Sequence, residues 1–298
     1  MSSTAEFRCG FACFAGRPNV GKSTLTNAIV GTKVAITSNR PQTTRRAIRG
    51  VATGPDWQLV LVDLPGVQRP LDALTDRMAR RVTQELADAD AALVVVNGEE
   101  GIGPGDRYLL AVLADARAPL TLAVNKMDRL SRERQAQALL DAAALAPERA
   151  EVFPVSARTG AGVRVLVEHL VSALPESPFL YEREQHSDMA HHELLAELIR
   201  EQVLRRTFQE LPHAVGVVVE EEEHDEDLTQ IAALVWVETE SQKGIVVGRG
   251  GRMIKAIGTA ARRELERQTG GRVHLALTVR VRPHWRSDDG LLDRLGIE

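Results

Sequence analysis

Short apolar runs bounded by turn residues recur through the first half of the chain and predict strands at 11–15, 57–63, 91–97, 119–125 and 151–156. Amphipathic or Ala- and Leu-rich stretches between them predict helices near 24–30, 74–87, 105–116, 131–146 and 162–173. Regular alternation of strands and helices is typical of a doubly wound, mostly parallel α/β sheet. Such sheets bind ligands at the carboxyl ends of their strands, so functional residues are expected directly after each run.

The second half of the chain has a different periodicity. Leu195, Leu198, Ile199 and Val203 fall on one face of a helix predicted over about 190–208. Further along, the pattern predicts strands at 213–221 and 229–238, an acidic turn at 220–227, a short helix near 241–247, a longer helix over 252–267 and an alternating strand over 273–282. The predicted order is therefore α-β-β-α-α-β, an α+β arrangement.

Two domains fit a length of 298 residues. The predicted segments are a first domain at 1–176, a polar linker at 177–189, a second domain at 190–286 and a tail at 287–298. The composition, 44% hydrophobic and 26% charged, is ordinary for a soluble globular protein. The two cysteines and the lack of an apolar run near the length of a membrane span predict a cytoplasmic protein.

Charge is unevenly distributed along the second half. Residues 179–240 carry 4 Lys and Arg against 16 Asp and Glu, whereas residues 241–286 carry 11 against 2, a net charge of +9. The net charge of −4 for the whole chain hides this contrast. Because a polyanion is attracted by the local charge rather than by the net charge of the whole chain, residues 241–286 are the predicted nucleic-acid contact.

The first strand leads into GRPNVGKS at 16–23, which matches the phosphate loop G-x4-G-K-[ST] and precedes a helix. Its two glycines let backbone N–H groups close around phosphates. Lys22 is expected at the β- and γ-phosphates, and Ser23 is expected to bind Mg²⁺. The strand–turn–helix context disfavours a chance glycine turn. The predicted phosphate contacts are Gly16, Asn19, Val20, Gly21, Lys22, Ser23, Thr24 and, from a later motif, Gly66.

A second motif, DLPG at 63–66, follows the second strand. Asp63 is expected to reach Mg²⁺ through a water, and the Gly66 N–H to bond the γ-phosphate. Between the two motifs, PQTTRR at 41–46 supplies hydroxyls where a mobile loop should close over Mg²⁺. Thr44 is favoured over Thr43 as the ligand, and spacing alone leaves open that both are ordinary loop threonines. The predicted switch residues are Thr43, Thr44, Asp63, Leu64, Pro65, Gly66 and Val67.

The base is specified by NKMD at 125–128, with SA at 156–157 after the next strand. The Asp128 carboxylate is expected to accept hydrogen bonds from the N1–H and N2 amino group that guanine has and adenine lacks. Asn125 braces the loop, Lys126 packs its stem along the base, and the Ser156–Ala157 backbone lies near guanine O6. A simple helix cap at Asp128 would explain only one of the four motifs, so the sequence favours GTP and GDP as ligands.

These motifs, with SARTG at 156–160, resemble the Era-type translation-factor GTPases. The resemblance implies a Ras-like P-loop fold and Mg²⁺-dependent attack of water on the γ-phosphate of GTP. Val67 stands where Ras-like enzymes carry the glutamine that orients water. Asn19 matches the asparagine that binds K⁺ in related GTPases, in place of an arginine finger; the alternative is that Asn19 only shapes its loop. Leu64 stands where the family usually has threonine.

The second domain resembles a type II KH domain in its element order and in the turn GRGG at 248–251. A glycine-rich turn lets the backbone approach a sugar–phosphate chain, and neighbouring cations neutralise it. Taken alone, a turn of this sequence more often has a structural role. The basic block at 241–286 favours the interpretation that the turn binds RNA. Ile245, Val246, Val247 and Ile254 are candidate walls of a groove for bases, and Trp285 either stacks on a base or packs internally. The predicted RNA contacts are Gly248, Arg249, Gly250, Gly251, Arg252 and Lys255.

The family resemblance further implies binding to the 3′ end of 16S ribosomal RNA, a role in maturation of the 30S subunit, a monomeric state and peripheral association with the cytoplasmic membrane surface. Three alternatives carry less weight. A P-loop metabolic kinase would lack NKMD and a KH module. An RNA-binding scaffold with a merely structural nucleotide is kept open by Val67. A related GTPase of the large subunit or of tRNA fits a single GTPase domain with a KH tail less well.

Overall fold

A computed structural model of the chain describes residues 7–38, 40, 43–66, 73–113, 118–207, 211–225 and 227–297. These residues form two compact units. The first contains 7–35, 44–66, 78–113 and 118–188, and the second contains 36–38, 40, 43, 73–77 and 189–297 apart from the gaps just given. The second unit thus takes in two short pieces that lie, in sequence, within the predicted first domain.

A six-stranded sheet of order β2-β3-β1-β4-β5-β6 forms the centre of the first unit. All neighbouring strands are parallel except β2 and β3, which are antiparallel. The predicted doubly wound, mostly parallel sheet is therefore confirmed. The strands are β1 (Arg8–Ala15), β2 (Ile48–Thr53), β3 (Trp57–Asp63), β4 (Ala91–Asn97), β5 (Leu120–Asn125) and β6 (Glu151–Pro154).

The helices of this part of the chain lie between the strands and close to their predicted positions. Strand β4 is buried at every residue, as expected for a central parallel strand covered on both faces. Helix α1 ends where the sequence places a glycine: Gly31 has a φ of 83° and donates its N–H to the carbonyl of Asn27. The helices are α1 (Lys22–Val30), α2 (Ala73–Asp88), α3 (Pro104–Leu113), α4 (Arg132–Leu145) and α5 (Val163–Ser172).

Strand β2 was not predicted, because its sequence, IRGVAT, interrupts the apolar pattern with Arg49 and Gly50. The glycine is required by packing. A Cβ at Gly50 would lie 2.9 Å from Val30 and 3.0 Å from Thr26, so only a residue without a side chain lets helix α1 approach the strand.

The predicted linker is fixed to the first unit by a buried side chain. Gln58 is fully buried, and its Oε1 accepts from the backbone N–H groups of Leu180 and Tyr181, each at 2.9 Å. Its Nε2 donates to the Tyr181 carbonyl at 2.9 Å. One amide thus pairs with the backbone of residues 180 and 181, and the first unit continues through Asp188.

The second unit contains the predicted order α-β-β-α-α-β on a three-stranded sheet of order β7-β8-β9, in which β7 and β8 are antiparallel and β8 and β9 are parallel. Two short helices were not predicted as such: the one beginning at Leu211 and the one in the C-terminal tail. The elements are α6 (His191–Arg206), α7 (Leu211–Ala214), β7 (Gly216–Asp225), β8 (Leu228–Val237), α8 (Glu240–Val247), α9 (Arg252–Thr269), β9 (Arg272–Val281) and α10 (Asp289–Arg294).

The acidic run is strand rather than turn, which corrects the predicted turn at 220–227. Strand β7 continues to Asp225 and pairs with β8 along its whole length, with a register shift between Val219 and Glu221. Its glutamates lie on an edge strand where most side chains are exposed. Their carboxylates therefore keep most of their hydration when the protein folds.

An aliphatic core holds the second unit together. Ile257, Ala261 and Leu265 of α9 pack in one cluster with Leu195 and Ile199 of α6. Strand β9 alternates between buried or half-buried residues and exposed ones, as its period-2 pattern predicts.

Trp285 belongs to the interior of the second unit. Its side chain is fully buried, and Nε1 donates to the Ala214 carbonyl at 3.0 Å. Of the two roles left open by the sequence, the structure supports internal packing.

We expect Trp285→Ala to lower the free energy of unfolding by about 3–5 kcal/mol, because it removes a large buried side chain and leaves a cavity. Urea unfolding followed by far-UV circular dichroism measures the change. Tyr108→Ala is the control, since that aromatic side chain is 63% exposed. An equal effect of the two substitutions would contradict the packing role of Trp285.

Candidate functional site

The four nucleotide-binding motifs meet at one edge of the first unit's sheet. The phosphate loop follows β1, DLPG begins at the last residue of β3, NKMD begins at the last residue of β5, and SA follows β6. Because these strands are parallel, their carboxyl ends lie together at the position where doubly wound sheets bind ligands.

The buried amide of Asn125 ties three of these motifs together. Its Nδ2 donates to the Val20 carbonyl in the phosphate loop at 2.9 Å, and its Oδ1 accepts from the Ala157 N–H at 3.0 Å. A Cβ at Gly21 would lie 2.3 Å from Asn125 Nδ2, and Gly21 has a φ of 103°. Glycine is thus required at this position both for its backbone conformation and for its contact with the amide.

Lys22 and Asp63 place opposite charges in the interior of the site. The Lys22 ammonium is buried and donates to the carbonyls of Gly16 at 3.0 Å and Arg17 at 3.2 Å. Burial lowers the pKa of Lys22, and the charge of Asp63 opposes that effect. Burial raises the pKa of Asp63 to about 6, although Lys22 acts in the opposite direction.

The donor set fits Mg²⁺. Both carboxylate oxygens of Asp63 are buried, and Lys22 and Ser23 offset only part of the cost of burying the charge, so a cation at this position would stabilise it further. The hydroxyls of Ser23 and Thr44 lie 3.0 Å apart. These are hard oxygen donors, the type that Mg²⁺ prefers.

The two candidate threonines of the first switch differ in their surroundings. Thr44 Oγ1 contacts Ser23 of the phosphate loop, whereas the Thr43 hydroxyl contacts the hydroxyl of Ser38 at 2.7 Å and the Arg40 carbonyl at 2.6 Å. The geometry therefore brings Thr44, and not Thr43, to the phosphate loop.

The second switch begins within the described residues and ends outside them. Gly66 lies against the phosphate loop, since a Cβ there would be 2.9 Å from the Pro18 ring. Leu64 is fully buried in a cluster with Cys13, Val62 and Val82, and Pro65 is also buried. Val67 lies outside the residues that the structure describes.

Asp128 is held by two neighbours on the SARTG loop. Its Oδ1 accepts from the Ser156 hydroxyl at 2.6 Å, and its Oδ2 accepts from Arg158 Nε at 3.0 Å and from the Arg158 Nη2. These bonds, that of Ser156 first, lower the pKa of Asp128 and keep it ionised. The sequence singled out Ser156 and Ala157 but not Arg158; the only signal was a cation two residues beyond Ser156.

Two motif residues other than glycine adopt the left-handed conformation. Asn19 has a φ of 64° and Lys126 a φ of 65°. Asparagine tolerates this region better than most residues, so the conformation of Asn19 is consistent with a loop-shaping role as well as with a ligand role.

The GRGG turn combines three glycines of positive φ, at 71°, 62° and 74° for Gly248, Gly250 and Gly251. A Cβ at Gly248 would lie 2.6 Å from the Cβ of Met253, whereas a Cβ at Gly250 would have no atom within 4 Å. The backbone at Gly250 is therefore open to a ligand. Arg252 and Lys255 are exposed on the first turns of α9 directly after it.

A cavity of about 360 Å³ lies between α9 and β9. Its wall combines apolar side chains with basic ones that suit a nucleotide base and a phosphate. Among the proposed groove residues Ile254 lines it, whereas Val246 is fully buried in the core and is not available as a wall. The residues are Ile254, Leu275, Leu277, Lys255, Arg262 and His274.

Two family models match the chain. Residues 11–126 match the model of the 50S ribosome-binding GTPases, and residues 210–286 match that of the KH domain. The first match spans the phosphate loop, the switches and the start of NKMD, and the second spans the GRGG turn.

Whole-chain relatives and structures were also found. GTPase Era of Mycobacterium avium is 45% identical over 98% of this chain and 99% of its own length, and GTPase Era of Mycolicibacterium smegmatis is 44% identical over the same shares. A crystal structure of Era with MgGDPNP and nucleotides 1506–1542 of 16S ribosomal RNA matches 98% of this chain and 99% of that chain at a TM-score of 0.93 and 32% identity. A variant of Aquifex aeolicus Era bound to GDP and AlF4⁻ matches over the same shares at a TM-score of 0.91 and 31% identity.

We expect Asp63→Asn to stabilise the ligand-free protein above pH 6 and to weaken Mg²⁺-dependent nucleotide binding. A carboxyl whose pKa rises from 3.8 to about 6 on folding costs on the order of 3 kcal/mol once it is ionised. The cost is absent below pH 3.8 and complete above about pH 6. The increase in the free energy of unfolding is therefore larger at pH 8 than at pH 5. It is smaller than the full cost of the charge, because the asparagine amide is buried without a hydrogen-bond partner.

Urea unfolding of the ligand-free protein at pH 8 and pH 5, and titration with GDP in the presence and absence of Mg²⁺, measure the two effects. Asp56→Asn, at an exposed position of the same unit, is the control. A stability change that is the same at both pH values would contradict the assignment of a buried charge that Lys22 compensates only in part.

Proposed function

The chain belongs to the Era family of GTPases, and on that premise we propose that it couples GTP hydrolysis to binding of the 3′ end of 16S ribosomal RNA during maturation of the 30S subunit. The observation that carries the proposal is the match to an Era structure containing both MgGDPNP and an RNA fragment, over 98% of this chain. Both functional regions of the chain therefore have counterparts in a protein that binds these two ligands.

The proposed reaction is attack of water on the γ-phosphate, with catalysis by positioning and charge neutralisation. Lys22 holds the β- and γ-phosphates, and exchanges its present carbonyl partners for phosphate oxygens. Ser23, Thr44 and Asp63 would hold Mg²⁺, which supplies neutralisation of the charge on the phosphate oxygens. A valine at position 67 has no polar group to orient water, so that task belongs to other groups.

Guanine selection depends on the Asp128 carboxylate. An ionised carboxylate has about four lone-pair positions, and the bonds from Ser156 and from Nε and Nη2 of Arg158 use three of them. Binding of both N1–H and the N2 amino group therefore requires Arg158 to release at least one of its two bonds when guanine enters. Arg158 also keeps the carboxylate ionised, which makes each of those bonds charge-assisted.

The RNA contact is proposed at the GRGG turn and the cavity between α9 and β9. The open backbone at Gly250 admits a sugar–phosphate chain, the exposed cations neutralise it, and the apolar cavity wall takes a base. A large-subunit or tRNA target is the competing possibility, because the matching GTPase family is described as 50S-binding. The other alternative is an RNA-binding scaffold in which the nucleotide is only structural. A single-turnover GTPase assay distinguishes it from an enzyme, because a scaffold would bind GTP without hydrolysing it.

Within the described residues, no helix is long and apolar enough to cross a membrane. We propose a cytoplasmic, monomeric protein that works on the small subunit, and membrane-surface association remains an expectation from the family resemblance.

Replacement of Arg252 and Lys255 by alanine should weaken binding to a 16S 3′-end oligonucleotide and flatten its salt dependence. Each lost single-strand phosphate contact lowers the slope of log K against log salt by about 0.7. Arg263→Ala is the matched control, because it removes an exposed cation of the same helix that does not line the cavity.

Gly250→Asp tests shape and charge together. An added Cβ meets no atom there, and aspartate adopts positive φ at a lower cost than most residues, so the fold and RNA-independent GTP hydrolysis should persist while RNA affinity falls. Unchanged affinity in both RNA variants would refute the KH assignment. Tighter binding of a large-subunit fragment or tRNA than of the 16S fragment would refute the proposed target.

We also propose that K⁺ accelerates hydrolysis through Asn19, where it would stabilise charge at the β–γ bridging oxygen. The rate should be higher in KCl than in NaCl at equal ionic strength and fixed Mg²⁺, and Asn19→Ala should abolish the difference. Asn19→Gly keeps the positive φ but removes the amide, so it separates ligation from loop shape. Equal wild-type rates in the two salts would rule out the K⁺ role and direct attention to Arg45 and Arg46.

A further inference from the structure

Arg158 offers Asp128 the same kind of donor pair that guanine offers. Its Nε and Nη2 both donate to Asp128 Oδ2, the former at 3.0 Å. In a guanidinium these two N–H groups are bonded to one carbon atom, and in guanine the N1–H and the N2 amino group are likewise bonded to one carbon, C2. A side chain of this chain and the base therefore present adjacent N–H donors to one carboxylate.

Ser156 and Arg158 divide the two oxygens of Asp128 between them. The Ser156 hydroxyl donates to Oδ1 at 2.6 Å, and Arg158 makes both of its bonds to Oδ2. Since each carboxylate oxygen has about two lone-pair positions, Oδ1 retains one position and Oδ2 retains none. A base with one donor fits the position that remains at Oδ1, whereas a base with two donors needs a position that Arg158 holds.

The two partners of Asp128 differ in how readily they leave it. Ser156 is 1% exposed, and its Oγ accepts from the Thr159 N–H at 3.2 Å, which leaves its own hydrogen for Asp128. The Arg158 side chain is 68% exposed, so water solvates the guanidinium when it departs. Because an exposed ion pair contributes little net stability, Arg158 is the exchangeable partner and Ser156 the fixed one.

The exchange requires movement of a side chain only. The backbone of the SARTG loop is closed by its own hydrogen bonds: the Gly160 N–H donates to the Ser156 carbonyl at 2.9 Å, and the Ser156 N–H donates to the Ala161 carbonyl at 2.8 Å. Gly160 has a φ of 80°, a conformation that suits glycine at such a turn. Rotation of the Arg158 side chain therefore frees Asp128 Oδ2 while the loop keeps its shape.

We propose that Arg158 competes with guanine for the Asp128 carboxylate, and that it thereby weakens nucleotide binding and speeds the release of GDP. The proposal rests on the assignment of Asp128 to the guanine edge. When the N2 amino group of a bound guanine leaves Oδ2, a donor of Arg158 takes its place. The Asp128 side chain is only 12% exposed, so this replacement avoids the cost of a poorly solvated oxygen without a partner.

Arg158→Ala in the full chain is the first test, with GDP titrated calorimetrically at fixed Mg²⁺ and its dissociation followed by stopped flow. We expect the Kd for GDP to fall by roughly twofold to fivefold, the scale of an exposed ion pair, mainly through slower dissociation. Arg129→Ala is the matched control and should leave the Kd unchanged. It removes an exposed cation next to Asp128 in sequence, whose Nη1 pairs with Glu99 at 3.0 Å.

Titration with IDP separates competition from a general effect of charge. Hypoxanthine keeps N1–H but lacks the N2 amino group, so its single donor fits the remaining position at Oδ1 without displacing Arg158. Arg158→Ala should therefore strengthen GDP binding by a larger factor than IDP binding. The factor for GDP should also shrink as KCl is added, because salt screens the exposed ion pair that competes in the wild type.

The outcomes distinguish this proposal from the proposed function. A wild-type chain that binds GDP no more tightly than ADP would contradict the assignment of Asp128 to guanine and, with it, the proposed GTPase. If the wild type prefers GDP, unchanged or weaker GDP binding in Arg158→Ala would overturn only the competition, since weaker binding means that Arg158 makes a favourable contact with the nucleotide. Equal gains for GDP and IDP would overturn it as well.

Discussion

The Asn125 amide is the interaction on which the geometry of the nucleotide site depends. It is buried, it uses its donor on the phosphate loop and its acceptor on the loop after β6, and it packs so closely on Gly21 that a side chain there would collide with it. The phosphate and base ends of the site are therefore parts of one hydrogen-bonded unit. A displacement at either end costs a buried hydrogen bond, so the two ends bind a nucleotide at a fixed separation.

The sequence predicted most of the fold because its signals are local. Apolar runs of strand length located five of the six strands of the first unit, and the phosphate-loop, DLPG and NKMD motifs located the site at their ends. The failures have physical causes. Strand β2 carries Gly50 for close helix approach and so lacks an apolar pattern, and β7 carries glutamates because its edge is exposed.

The parts of the site that the sequence did not predict depend on contacts between distant residues. The partners of the Asn125 amide, Val20 and Ala157, are 105 and 32 positions away, and the apolar periodicity that located β5 gives no information about them. Arg158 was missed for a related reason: a motif records which residues are present, whereas the partner of each one is set by the fold. The raised pKa of Asp63 likewise could not be predicted from the sequence, because it results from burial of the carboxyl group.

Strands β7 and β9 are the two opposite edges of the small sheet, and they differ in charge. The carboxylates of β7 lie at one edge, while the cations of β9 and the adjoining helix lie at the other. The second unit is consequently an electric dipole whose field extends beyond contact range, with a screening length of about 8 Å at physiological salt. A polyanion within that distance is attracted toward the edge at β9 and repelled from the edge at β7.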